Sequence, residues 1–71
     1  MIKNATFTSV WDGGYEITTA CKVNMTTKQV FDVEKAEVDD SLDVLEAEYI
    51  TIDGVDYPVS YNKEDTEFWY E

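Results

Sequence analysis

The run from Asp32 to Glu48, DVEKAEVDDSLDVLEAE, carries the densest chemistry-bearing side chains in this 71-residue chain. Eight carboxylates, Asp32, Glu34, Glu37, Asp39, Asp40, Asp43, Glu46 and Glu48, stand against one base, Lys35. Acids at this density suit three tasks: paired proton transfer, cation binding, or presentation of a negative face. Paired carboxylates cleave glycosidic bonds from the two sides of a cleft. A domain this short has little room for a cleft of the usual size, about 300 Å³ or more. Asp39-Asp40-Ser41-Leu42-Asp43 begins like a calcium loop. Val44 then stands where the glycine of such a loop belongs, and Ile50 where its bidentate glutamate belongs. The negative face is the reading that remains, with a basic protein surface as the partner.

Other chemistry is excluded by residue type. There is no histidine, so Ser-His-Asp and Cys-His catalysis are out. One cysteine, Cys21, permits no intrachain disulfide and no Cys/His zinc site. It falls on the inward side of a strand pattern, as an inert small hydrophobe. The three glycines all read as hairpin residues, and none belongs to a phosphate-binding loop. Arginine is missing, so no bidentate clamp for phosphate is available. The expectation is a protein that is not an enzyme, with no cofactor and no metal.

The elements that must position the acids follow from periodicity. ATFTSVW at 5–11 alternates with a period of two, as does Tyr15 to Met25. A three-residue loop, Asp12-Gly13-Gly14, supplies a glycine for the left-handed position. It pairs Trp11 with Tyr15, Phe7 with Thr19 and Ala5 with Cys21. A shorter loop would set Trp11 and Tyr15 on opposite faces. Thr26-Thr27-Lys28 is a second turn, and Gln29 to Val38 a third strand. Its expected register pairs Val23 with Phe31 and Cys21 with Val33. Val30, Asp32, Glu34 and Ala36 then face outward, with Asp32 and Glu34 about 6.6 Å apart. Asp40 or Ser41 offers a cap for one or two helical turns over SLDVLEAE. Tyr49-Ile50-Thr51-Ile52, Asp53-Gly54 and Val55 to Tyr61 make a two-residue hairpin. It pairs Ile52 with Val55, Ile50 with Tyr57 and Glu48 with Val59. Pro58 suits an edge strand. NKEDTE at 62–67 reads as a loop, and FWY at 68–70 as a cap on the core or a sixth, C-terminal strand.

The predicted fold is a single strand-rich α+β domain over residues 1–71. It is a curved antiparallel sheet or small open barrel, in the order β-β-β-short α-β-β. Ten aromatic residues must supply much of its core, because small domains bury little surface. Tyr61, Phe68, Trp69 and Tyr70 form a candidate apolar interface.

Sixteen acids against five lysines give a net charge of −11, beyond the range of about 2–8 usual for a small domain. Such a chain repels nucleic acid and anionic membranes and attracts basic surfaces. Met1-Ile2-Lys3-Asn4 leads into threonines with no apolar targeting segment, so the cytoplasm is the expected location. The pieces TFTSVWDGGYEI (6–17), VFDVE (30–34) and VLEAEYITIDGVDYPV (44–59) resemble short uncharacterised acidic proteins of phages and conjugative elements of gut bacteria. In size and charge the chain is also similar to small acidic anti-restriction and anti-CRISPR proteins. That resemblance implies a bacterial host cell. It also implies an inhibitor that mimics nucleic acid on the basic groove of a defence nuclease. The alternative is a structural or accessory module that homodimerises through an apolar edge.

Overall fold

The computed structural model describes residues 1–35, 44–61 and 68–71. They form six strands: β1 (Ile2–Trp11), β2 (Tyr15–Asn24), β3 (Gln29–Phe31), β4 (Leu45–Ile52), β5 (Val55–Tyr61) and β6 (Phe68–Tyr70). The strands close into a barrel in the order β1-β2-β3-β6-β5-β4, every neighbouring pair antiparallel. Two three-stranded meanders thus face each other, joined by β1–β4 on one side and β3–β6 on the other.

The glycine turns fix two registers. Asp12–Gly14 forms a single 3₁₀ turn with Gly13 at φ 78° and Gly14 at φ 77°, and Trp11 pairs with Tyr15 across it. The same register sets Phe7 opposite Thr19 and Ala5 opposite Cys21, as the alternation requires. At the other end of the barrel Asp53 (φ 50°) and Gly54 (φ 82°) turn the chain with both central residues left-handed. This matches the type I′ geometry that follows strand twist. Ile52 meets Val55 and Ile50 meets Tyr57.

Three expectations are corrected. The β2–β3 turn is opened by Asn24, whose Oδ1 accepts from the amides of Thr26 (2.9 Å) and Thr27 (3.2 Å). Lys28 N donates to Asn24 O at 2.7 Å, and Lys28 sits at φ 66°. The loop is one residue longer than predicted, so Val23 pairs with Val30 and Lys22 with Phe31. Val30 is therefore core, 3% exposed, where the alternation had it facing outward. β3 ends at Phe31 instead of Val38. Asp32 turns to φ 50°, and Glu34 N then bonds Ala20 O at 2.9 Å. That single inserted residue acts as a bulge, and it brings Val33 back against the core. Asp32 and Glu34 consequently do not share one regular outward strand face.

The second correction concerns the helix. Leu45–Glu48 are strand residues of β4, since Val10 pairs with Ala47 and Trp11 with Leu45. Strand pairing to β1 satisfies more backbone groups there than one helical turn could. The caps expected at Asp40 and Ser41 lie outside the described residues. The third concerns the edge expected at Pro58, since the curved antiparallel arrangement is present in closed form. The barrel is closed, so β5 is not an edge: β4 lies on one side and β6 on the other. Pro58 is tolerated because Glu71, one residue past β6, meets it through a single bond, Glu71 N to Pro58 O at 3.0 Å. The fold is all strand apart from the 3₁₀ turn among the described residues.

The core is small and continuous: Ala5, Cys21, Val23, Val30, Ile50, Ile52 and Tyr70, with Val23 and Ile50 fully buried. Phe7, Met25, Val33, Tyr57, Val59 and Phe68 pack around it. Aromatic pairs tie the strands together: Phe7 on Phe68 edge to face at 5.8 Å, and Tyr57 on Tyr70 at 5.1 Å.

Candidate partner-binding surface

One end of the barrel gathers both acids and aromatic residues. The β1–β2 turn, the start of β4, the end of β5 and the start of β6 all lie there, as the antiparallel registers require. Asp12 N bonds Val44 O at 2.9 Å and anchors the entry to β4. Between Val10 and Trp11 the β1–β4 register slips by one residue, passing over Glu46, which is left exposed.

The inward alternation of β1 delivers Phe7, Ser9 and Trp11 to this end, and that of β2 delivers Ile17 and Thr19. Glu48 lies opposite Ser9, two residues from fully buried Ile50, so it too points inward. These side chains, with Val33 and Glu34, line a cup of about 160 Å³. The Trp11 indole N–H donates to Ser9 Oγ at 3.0 Å, which fixes the ring. Tyr61 donates its hydroxyl to Glu48 Oε1. Burial pushes the Glu48 carboxyl above the usual carboxylate range, since apolar walls disfavour its charge.

The predicted acidic residues separate into three groups. Glu34 and Glu48, fourteen positions apart in sequence, meet at the cup. Asp32 and Glu46 are exposed, with Lys22 Nζ 3.9 Å from Asp32. At that distance, in water, the pair adds little. Glu37, Asp39, Asp40 and Asp43 lie outside the described residues. Two acids that the sequence reading did not single out, Asp12 and Glu16, join the same end. The hairpin register that placed Trp11 beside Tyr15 was the available signal for them.

The candidate apolar interface divides. Tyr70 is 5% exposed, and its hydroxyl reaches Met25 Sδ at 3.6 Å. Phe68 is half-buried between Phe7 and Tyr61. Both are core residues. Tyr61 and Trp69 remain exposed, and Trp69 points outward from β6 between its two inward neighbours.

Among the described residues no group of three His, Cys, Asp or Glu is placed to hold a metal ion. No helix there is long and apolar enough to cross a membrane. No protein family, curated protein or solved structure matches the chain.

Proposed function

We propose that this is a non-catalytic acidic binding protein that occupies the basic, nucleic-acid-binding surface of another protein. Its most specific form is an inhibitor of a host defence nuclease that takes the place of nucleic acid, acting in the bacterial cytoplasm. The observation that carries the reading is the uneven placement of charge on a closed barrel. Asp12, Glu16, Glu34, Glu46 and Glu48 come from separate points of the chain to one end. At the far end Asp53 is matched by Lys3, at 2.6 Å. Lys28 and the terminal ammonium add positive charge there and offset Asp56. This uneven placement among the described residues, on a chain of net charge −11, supports a direction of approach to a cation-lined groove.

The test is capture at graded salt. The protein should retain a basic nucleic-acid-binding protein from a bacterial lysate near 50 mM salt and lose it steeply by about 200 mM, as displaced counterion contacts do. Added duplex DNA should compete. Failure to enrich any such protein at low salt overturns the proposal.

A further inference from the structure

We propose that the cup at the acidic end is a receptor for a single arginine side chain of the partner. The inference rests on the reading that the partner surface is basic, and it names the contact that surface would make. The cup holds about 160 Å³. That is room for about five waters at roughly 30 Å³ each, and well short of the 300 Å³ at which small-molecule sites begin. Its volume suits one long side chain.

The lining combines apolar walls with two carboxylates. Phe7, Ile17 and Val33 make apolar walls, and Trp11 presents an indole whose N–H is already bonded to Ser9. Glu34 and Glu48 bring the only charges among its described lining residues, and both are negative. A long cationic side chain lays its methylenes along apolar walls and keeps its head among polar groups. Of the two natural cations, guanidinium fits better. It is planar, it stacks on aromatic faces, and it sheds water more readily than ammonium. Its fixed fork of donors can meet carboxylates from two segments, Glu48 on β4 and Glu34 just past β3. Glu48 has spare acceptor capacity, because Tyr61 takes one of several lone pairs. A cation beside Glu48 also offsets the burial that disfavours its charged form.

The two tryptophans make the test internal, since Trp11 lines the cup and Trp69 points away from the barrel. Blocked arginine, N-acetyl-arginine amide, is titrated into the full chain while both indole N–H resonances are followed by NMR. The Trp11 signal should move and saturate, and the Trp69 signal should stay. Blocked citrulline, the neutral isostere, should leave Trp11 unmoved, and blocked lysine should bind more weakly. Glu48→Gln keeps an acceptor for Tyr61, and Glu34→Gln changes an exposed residue. Each should weaken the titration about fivefold to tenfold, while Asp56→Asn at the far end leaves it unchanged. Equal movement of both indoles, equal binding of citrulline or lysine, or indifference to both glutamine variants overturns the proposal. Salt-sensitive capture of a basic protein together with a silent Trp11 would reject the cup and leave the broader reading standing. Saturation at Trp11 without any such capture would do the reverse.

Discussion

Glu48 is the residue on which charge and packing meet. Its folded-state pKa is raised by burial, so the folded protein holds this proton at pH values where the unfolded chain has released it. Stability from this group therefore falls as pH rises from the ordinary glutamate range through the folded-state value. Glu48→Gln should flatten that slope and raise the melting temperature at neutral pH, and thermal unfolding between about pH 4 and pH 7 checks both. Cys21 behaves more simply. It is 3% exposed and burial pushes its thiol pKa up, so it is neither accessible nor ionised. A thiol reagent should label it only when the barrel opens, and its rate should track unfolding in denaturant. Ile50, fully buried, tests the core. Ile50→Val should cost about 1 kcal/mol and Ile50→Ala about 2–5 kcal/mol. In a domain this small each kcal/mol lowers the melting temperature by roughly 4–8 °C.

Among the elements, β6 ties a thin barrel shut. Phe68→Ala removes a ring that touches both Phe7 and Tyr61 and should cost about 3 kcal/mol in chemical denaturation. Trp69→Ala should leave stability within about 0.5 kcal/mol. Trp69 is thus the clean variant for self-association: an unchanged sedimentation coefficient removes the homodimer alternative. The hairpins β1–β2 and β4–β5 could be read from sequence because glycine at a left-handed position and strict alternation constrain the same register. The β2–β3 register could not, because Asn24 spends its side chain on two amides and shifts the turn by one residue. Asp32 then adds a bulge that no alternation records. The first half of β4 read as helix because its acids and leucines fit a capped turn equally well. Only pairing with β1, more than thirty residues earlier, decides it. Glu34 and Glu48 were legible as acids but not as a pair, since their meeting depends on both of those corrections.

For the molecule as a whole, a net charge of −11 sets the balance between cohesion and repulsion. Raising salt from about 10 mM to about 150 mM shortens the Debye length from about 30 Å to about 8 Å. Repulsion across a molecule 37 Å long should be screened accordingly, so the melting temperature should rise with salt while affinity for a basic partner falls. Opposite signs in these two measurements would separate self-repulsion from recognition within one buffer series.

The ring of strands also has a seam. Ten residue pairs join β1 to β2, but only two described pairs, Gln29 with Trp69 and Val30 with Phe68, join β3 to β6, and unlike the equally short β2–β3 ladder no tight turn links those two strands. Thermal breathing should begin at that short join, parting the two meanders like a hinged clasp while β1 keeps both its neighbours. Backbone amides of Val30 and Tyr70 should then trade hydrogen for deuterium well before those of Phe7 and Ile50, although all four residues lie in or against the same core.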